Sequence, residues 1–335
     1  MDSTDNLVNL AKMLMVEGKG LLAADWGIGS VGKRFEKISF ENSYENRQKY
    51  REMLFSAPGL AEYISGVIQN VETNKQGFGN VLIKNGIMPG VKVDEGLVDM
   101  ANFQGEQVSE GLDGLREKLI EHKKLGAVFC KFRTVFNIGD NLPSEENIIV
   151  NSLTQARYAA LCQEQGMVPV VEPEVLMDGS HSLEDCRKVT EFELLKVFEC
   201  LANEKVLFEG MILKTNMVIS GKENSQKATK EEMAKMTVEV LNKCVPNNIA
   251  GVVFLSGGQS NVEATVNLNE IAKLRNQLHW PITFSYERAI EEPALMAWEG
   301  KDEKRDYAQK ILVHRARMNS LASMGKYNEE EENAL

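Results

Sequence analysis

The chain has 335 residues, of which 43% are hydrophobic and 26% are charged, a composition typical of globular proteins. Its formal net charge of −11 argues against a nucleic-acid binder, which needs a basic face. The five cysteines are odd in number, widely spaced and lack a CxxC pair, so they predict reduced thiols rather than disulfides. We see neither a signal-peptide pattern nor an apolar run of the roughly 18 residues that cross a membrane, and therefore expect a cytoplasmic protein.

Eight short apolar runs follow one another along the chain, separated by longer segments of helical period. One such segment begins near Asn261, which we predict to be its N-cap. Eight strands alternating with helices predict an α/β fold: a single (β/α)8 TIM barrel over residues 1–335, with extra N- and C-terminal helices. The acidic residues 328–335 predict a mobile tail. The apolar runs are residues 20–25, 63–71, 87–94, 125–133, 167–174, 208–214, 249–256 and 280–286.

A glycine-rich motif follows the first apolar run. Residues 27–32 read GIGSVG and fit the GxGxxG fingerprint of dinucleotide-binding proteins. The next segment, SYENRQKYREMLFSA, has a helical pattern, so no second strand arrives where a βαβ unit needs one. We therefore interpret the glycines as a tight turn whose backbone N–H groups can bind an anion.

Polar and ionisable side chains stand at the C-terminal ends of most runs, where a (β/α)8 barrel builds its active site. In three runs two such residues are two positions apart, and residues with this spacing share one face of a strand. The spacing predicts that each pair points into one barrel mouth, although strand ends also meet water and ion-pair networks can be structural. The pairs are Lys92 with Asp94, Lys131 with Arg133, and Glu172 with Glu174; Asp25, Lys214, Ser256 and Ser285 stand at the ends of other runs, and Arg288 follows the last run.

Lys214 follows the apolar residues MIL, and this position allows two interpretations. It either caps a strand and reaches water, or it is an inward-facing amine that acts as a nucleophile. A nucleophilic lysine must lose its proton, which burial and the nearby cations Lys131 and Arg133 would favour. Carboxylates close to the amine can accept and return that proton. Such a lysine suits Schiff-base formation with a ketone, because the iminium draws electrons from an adjacent carbon–carbon bond.

A phosphate site is the second predicted feature. The segment LSGGQS places Ser256 and Gly257 after the seventh run, and Arg288 follows the eighth, where barrels commonly bind phosphate. The alternative is a glycine turn beside a surface arginine. The four histidines do not cluster and none ends an apolar run, so we expect no metal ion and no cofactor.

Seven motifs, in this order, closely resemble those of class I fructose-1,6-bisphosphate aldolases: LLAAD, KVDEG, KFR, VVEPE, ILKTNMV, FLSGGQS and FSYERA. The resemblance runs from about residue 7 to Tyr327. It implies a (β/α)8 barrel, usually a homotetramer, in glycolysis and gluconeogenesis; a homodimer is the alternative. The implied reaction is reversible retro-aldol cleavage of fructose 1,6-bisphosphate to dihydroxyacetone phosphate and glyceraldehyde 3-phosphate through a lysine Schiff base. A sugar phosphate is the only partner that we expect, with no nucleic acid and no membrane.

The resemblance also implies roles for individual residues. Lys214 is similar to the Schiff-base lysine, Glu172 to the acid–base carboxylate and Glu174 to its neighbour. Asp25 and Lys131 match the other catalytic positions. Ser256, Gly257 and Arg288 match the C1-phosphate site, Ser30, Lys92 and Arg34 match positions around the other phosphate, and Arg133 and Ser285 are further candidates for substrate binding.

Several positions depart from the family pattern. Trp26 and Gly27 stand where the family usually has a glutamate and a serine, and Glu287 replaces a glycine that offers its N–H to the C1 phosphate. The C-terminal tyrosine that many members use is absent, and Tyr327 matches an earlier position. These departures keep two alternatives open. One is a related Schiff-base aldolase for another sugar phosphate, such as fructose 1-phosphate; the other is a low-activity scaffold that binds a protein partner.

Overall fold

The computed structural model describes residues 3–334 and contains a closed barrel of eight parallel strands. Each barrel strand pairs with the next barrel strand along the chain, and the last pairs with the first, so the predicted (β/α)8 barrel is confirmed. Two short strands between the third and fourth barrel strands form a separate antiparallel hairpin that the sequence did not predict. The strands are β1 Gly20–Ala24, β2 Ile64–Gln69, β3 Met88–Lys92, β4 Gly96–Asp99, β5 Gln107–Glu110, β6 Phe129–Phe136, β7 Val168–Val175, β8 Ile212–Thr215, β9 Gly251–Phe254 and β10 Ile282–Tyr286.

Helices surround the barrel and extend it at both ends. One helix precedes the first strand and two follow the helix after the last strand, in agreement with the predicted terminal helices. Two helices, rather than a strand, follow β1, so residues 27–32 do not open a dinucleotide-binding unit. The helices are α1 Ser3–Leu14, α2 Ile28–Glu36, α3 Tyr44–Phe55, α4 Val71–Lys75, α5 Phe78–Lys84, α6 Leu115–Lys124, α7 Glu145–Glu164, α8 Leu183–Asn203, α9 Lys230–Cys244, α10 Asn261–Lys273, α11 Arg288–Trp298, α12 Arg305–Ser323 and α13 Glu329–Glu332.

The N-cap predicted for α10 is wrong by one residue. Ser260, not Asn261, is the cap: its hydroxyl accepts the N–H of Glu263 at 3.2 Å. The Glu263 carboxylate accepts the N–H of Ser260 in return, also at 3.2 Å. Serine and glutamate three residues apart satisfy two unpaired backbone donors at once, whereas asparagine at the cap would have satisfied one.

The barrel interior has an apolar layer at the N-terminal ends of its strands. Inward-facing side chains of the strands pack there against α1, which closes this end. Fully burying one such side chain stabilises the fold by about 1.5–3 kcal/mol. Gly90 of β3 makes room for the ring of Phe129, because a Cβ at this position would lie 2.3 Å from that ring. The layer includes Leu21, Ala23, Ile68, Phe129, Val168, Val170, Ile212 and Val253 of the strands, and Leu7, Ala11 and Leu14 of α1.

The mobility predicted for residues 328–335 stays a prediction. Within this segment Glu332 pairs with Arg315 and accepts a hydrogen bond from the Tyr327 hydroxyl at 3.0 Å; Leu335 lies outside the described residues. All five cysteines are buried and unpaired. In the part of the chain that the structure describes, no helix is long and apolar enough to span a membrane.

Candidate active site

All five predicted catalytic residues and all eight predicted substrate-binding residues line one cavity of about 440 Å³. The cavity lies at the C-terminal ends of the barrel strands, the end at which TIM barrels carry their active sites. Four further residues, Trp26, Gly27, Leu255 and Glu287, complete its lining. The predicted residues in the lining are Asp25, Ser30, Arg34, Lys92, Lys131, Arg133, Glu172, Glu174, Lys214, Ser256, Gly257, Ser285 and Arg288.

Strand periodicity explains how these side chains meet. In β6 the inward-facing Phe129 belongs to the apolar layer, and Lys131 and Arg133 continue the same face toward the cavity. In β7 the same alternation leads to Glu172 and Glu174. One strand face is therefore apolar near its start and charged near its end, so the chemistry is confined to the open end of the barrel.

A chain of alternating charges lies at the centre of the cavity. Lys214 Nζ is 3.0 Å from Glu172 Oε1, and Lys131 Nζ is 2.8 Å from the other oxygen of Glu172. Lys131 Nζ is also 2.8 Å from Asp25 Oδ2. All four side chains are at most 9% exposed. The interpretation in which Lys214 caps a strand and reaches water is therefore wrong, because its amine faces a buried carboxylate.

The neighbouring lysine charges keep the carboxylates of Asp25 and Glu172 ionised. Burial would raise the pKa of Asp25, but the charges of Lys131 and Lys214 outweigh it and lower the pKa to about 2. Burial likewise opposes ionisation of Glu172, and the same two lysines hold its pKa below the usual value. Burial alone would lower the pKa of Lys131, but the neighbouring Asp25 and Glu172 raise it. Lys131 is therefore a positive charge between two carboxylates that are ionised in the ligand-free protein.

Two more ion pairs lie beside these four charged residues. Arg133 Nε lies 2.5 Å from Glu174 Oε2, and Lys92 Nζ lies 3.0 Å from Asp94 Oδ1. Asp94 Oδ2 is 4.0 Å from Lys131 Nζ and accepts the backbone N–H of Arg133 at 3.2 Å. Asp94 thus joins β6 to the loop after β3, a connection that its spacing from Lys92 alone did not predict.

The predicted phosphate-binding groups lie at one side of the cavity. Ser256 and Gly257 follow β9, and Arg288 is the first residue of α11. A Cβ at Gly257 would lie 2.7 Å from Glu174 Oε1, so only glycine fits without moving that carboxylate. The N-cap of α11 makes no side-chain cap hydrogen bond, and N–H groups in the first turn of a helix attract anions.

A family model described as fructose-bisphosphate aldolase class-I, a glycolytic family, matches residues 6–335. The chain belongs to the class I fructose-bisphosphate aldolases. This aldolase is 46% identical to a probable fructose-bisphosphate aldolase class 1 of Xanthomonas axonopodis pv. citri, over 97% of the chain and 99% of the relative. It is also 46% identical to fructose-bisphosphate aldolase 2 of Caenorhabditis elegans, over 98% of the chain and 91% of the relative.

A solved structure leads to the same family. Fructose-bisphosphate aldolase from Plasmodium falciparum, in complex with TRAP and a small-molecule inhibitor, matches the aldolase with a TM-score of 0.95 and 44% identity. The match covers 98% of this chain and 96% of that chain. The aldolase is thus a carbon–carbon lyase, and the family and activity expected from the seven motifs are confirmed. Its reaction is the reversible cleavage of fructose 1,6-bisphosphate through a lysine Schiff base.

Two contacts of the cavity wall have no counterpart among the sequence-based expectations. Trp26 Nε1 donates a hydrogen bond of 2.7 Å to the buried Oε2 of Glu291, and Arg34 pairs with Glu287. Burial raises the pKa of Glu291 to about 8, despite the opposing charge of Arg34. Trp26 and Glu287 stand out in the sequence as departures from the family pattern. Their partners are 265 and 253 residues away in sequence, so no local pattern connects them.

The side chains present offer little to a metal ion. Among residues 3–334, no group of three or more His, Cys, Asp or Glu side chains is arranged to hold one. His122, for example, lies on α6 with Nδ1 2.8 Å from the amide oxygen of Asn74.

Proposed function

We propose that Lys214 is the residue of this aldolase that attacks the C2 ketone of fructose 1,6-bisphosphate. The observation that carries the proposal is the position of its amine, 3.0 Å from Glu172 in a cavity that is also lined by the predicted phosphate-binding residues Ser256 and Gly257. A carboxylate at this distance can take a proton from the amine and return it as the carbinolamine loses water. The resulting iminium is the electron acceptor for cleavage.

We assign the later proton transfers to the charged residues next to Lys214. Asp25 accepts the proton of the C4 hydroxyl as the C3–C4 bond breaks, with Glu172 as the alternative acceptor. Lys131, 2.8 Å from both carboxylates, stabilises the negative charge on whichever oxygen holds it and assists the dehydration step. The bonding electrons move to the iminium nitrogen, glyceraldehyde 3-phosphate leaves, and the enamine takes up a proton at C3. Hydrolysis then releases dihydroxyacetone phosphate and restores the amine.

We assign the remaining lining residues to substrate binding. Six cations and four carboxylates line the cavity, and Asp94 pairs with Lys92 from outside the lining, which leaves one net positive charge to attract a polyanionic sugar. Its volume of about 440 Å³ falls in the range of small-molecule sites. Glu174 is held by Arg133 and supports the phosphate loop. The proposed C1-phosphate groups are Ser256, Gly257, Ser285 and Arg288, and the groups for the other phosphate are Ser30, Arg34 and Lys92, with Arg133 at the sugar.

Cleavage of fructose 1,6-bisphosphate by purified wild-type protein and by Lys214→Met tests this assignment. We expect wild-type turnover and a loss in the variant of at least about 10⁴-fold in kcat, because no other group replaces a covalent nucleophile. Lys124→Met is the matched control, since Lys124 is exposed on α6 and is not among the residues that line the cavity. Turnover by Lys214→Met close to the wild-type rate would overturn the assignment.

We propose a homotetramer as the solution state, with a homodimer as the alternative. Four apolar side chains on the adjacent helices α7 and α8 are 39–45% exposed: Val150, Leu153, Phe192 and Leu195. Exposed apolar side chains on two adjacent helices are the kind of surface that a protein interface buries. Light scattering should give about four times the chain mass of 37.4 kDa. A mass equal to one chain at micromolar concentration would overturn the proposal.

We propose the cytoplasm as the compartment. A relative named fructose-bisphosphate aldolase 4, cytosolic, from Arabidopsis thaliana is 46% identical over 97% of the chain, which supports this assignment. A fluorescent fusion expressed in the source cells should give diffuse cytoplasmic signal; confinement of the signal to an organelle would overturn the proposal.

A further inference from the structure

The Glu287 carboxylate is a built-in partner for one cation of the substrate cavity. Glu287 is the N-cap residue of α11, yet its side chain makes no cap hydrogen bond. It instead pairs with Arg34 of α2, and both residues line the cavity. The side chain of Arg34 is 15% exposed and that of Glu287 is 36% exposed. The pair thus lies at the rim of the cavity, where solvent and ligands can reach the carboxylate.

Most cations of the cavity are already neutralised in the same way. Lys92, Lys131, Arg133 and Lys214 each lie within ion-pair distance of a carboxylate, as does Arg34. Within residues 3–334, Arg288 is the one cation of the lining that forms no ion pair. A first phosphate can therefore bind Arg288 directly. A second phosphate that uses Arg34 must first displace Glu287.

We propose that Glu287 is a specificity-determining residue that competes with one substrate phosphate for Arg34. This inference rests on the proposed function of the cavity as a sugar-phosphate site. Glu287 lowers the affinity for a sugar with phosphates at both ends and has a smaller effect on a sugar with one phosphate. The advantage of fructose 1,6-bisphosphate over fructose 1-phosphate is therefore smaller than Arg34 alone would give.

The size of the effect follows from exposure. Ion pairs whose members meet solvent contribute little, so a phosphate carrying close to two charges can displace the carboxylate. The competition then weakens bisphosphate binding by about three- to tenfold rather than abolishing it. A second acidic residue, Glu291, also lies beside Arg34, with its Oε2 3.9 Å from Arg34 Nη1. Glu291 is fully buried, and its Oε2 is held by a hydrogen bond from Trp26. Of the two carboxylates beside Arg34, Glu287 is the one that can move away for a ligand.

Calorimetric binding of hexitol 1,6-bisphosphate tests the inference. This probe has two phosphates but no carbonyl, so its affinity does not depend on Schiff-base chemistry. We expect Glu287→Gln and Glu287→Ala to bind it about three- to tenfold more tightly than wild type. Glu292→Gln is the matched control: Glu292 lies on the same helix and pairs with Lys37, the C-cap residue of α2, at 2.7 Å, outside the cavity. Its affinity should stay within about twofold of wild type.

The same measurement in an Arg34→Met background separates competition from simple repulsion. We expect the gain from Glu287→Gln to shrink to less than about twofold there, because Arg34 is no longer available. An unchanged or weaker affinity of both Glu287 variants would overturn the inference, as would an equal gain in both backgrounds or the same gain in Glu292→Gln. Failure of the proposed function has a different result: wild-type protein would bind the probe but would not cleave fructose 1,6-bisphosphate.

The kinetic counterpart is the ratio of kcat/KM for fructose 1,6-bisphosphate to that for fructose 1-phosphate. Glu287→Gln should raise this ratio by about three- to tenfold, whereas a general loss of stability or activity would lower both constants together. A ratio equal to that of wild type would overturn the inference.

Discussion

Replacing Lys131 by methionine should destabilise the protein as well as inactivate it. Lys131 lies 2.8 Å from both Asp25 and Glu172, and its removal leaves two buried carboxylates that share one fewer cation. Breaking a buried ion pair in this way costs about 3–5 kcal/mol. The pKa of Asp25 gives an independent scale: its fall from 3.8 to about 2 corresponds to about 2 kcal/mol for that one carboxylate. We therefore expect Lys131→Met to lose about 3–5 kcal/mol of unfolding free energy at pH 7.

The pH dependence makes this prediction specific. A carboxylate whose folded pKa is depressed contributes stability above its unfolded pKa, and this contribution is lost as the pH falls through the folded pKa. In the variant the carboxylates regain their protons at a higher pH and stop being buried charges. The difference between wild type and Lys131→Met should therefore shrink as the pH falls from about 5 to about 2, the folded pKa of Asp25. Urea unfolding followed by circular dichroism measures it, with the exposed Lys124→Met as control, expected within about 0.5 kcal/mol of wild type. A deficit that stays constant with pH, or one no larger than that of the control, would refute the reasoning.

Three further variants test other parts of the molecule. Gly257→Ala should raise KM for fructose 1,6-bisphosphate by about tenfold, because the new Cβ displaces Glu174; steady-state kinetics with an unchanged KM would contradict this. Glu291→Gln should become more stable relative to wild type by about 3–4 kcal/mol as the pH rises from about 5 to 8. In that window the folded protein retains the Glu291 proton, because burial raises the pKa to about 8, whereas the unfolded wild-type chain releases it. The stability of the wild type therefore falls as the pH rises. Stability curves of the two proteins that run parallel with pH would contradict the burial of Glu291. Gly90→Ala should cost about 1–3 kcal/mol in urea unfolding through its clash with Phe129, and a neutral effect would mean that the ring can move.

The barrel and its charged mouth were predictable because both depend on short-range patterns. The strand period of two places Lys131 with Arg133, and Glu172 with Glu174, on one face, and this follows from spacing alone. The C-terminal position of Lys214 in its strand then puts it among them. The family motifs add the assignment of roles, which neither periodicity nor spacing provides.

What the sequence could not predict are contacts between distant segments. The direction of the Glu287 side chain depends on how α11 packs beside α2, and the hydrogen bond from Trp26 to Glu291 depends on the same packing. The N-cap of α10 differs from its prediction for another reason. Two polar residues stand side by side, and the reciprocal partner, Glu263, decides in favour of Ser260.

Chemical trapping tests the central claim most directly. Protein incubated with dihydroxyacetone phosphate and reduced with borohydride should carry one covalent adduct, and peptide mass spectrometry should locate it on Lys214. The adduct should disappear from Lys214→Met and persist in Lys124→Met. An adduct on Lys131 or on any other lysine, or no adduct in active protein, would contradict the account.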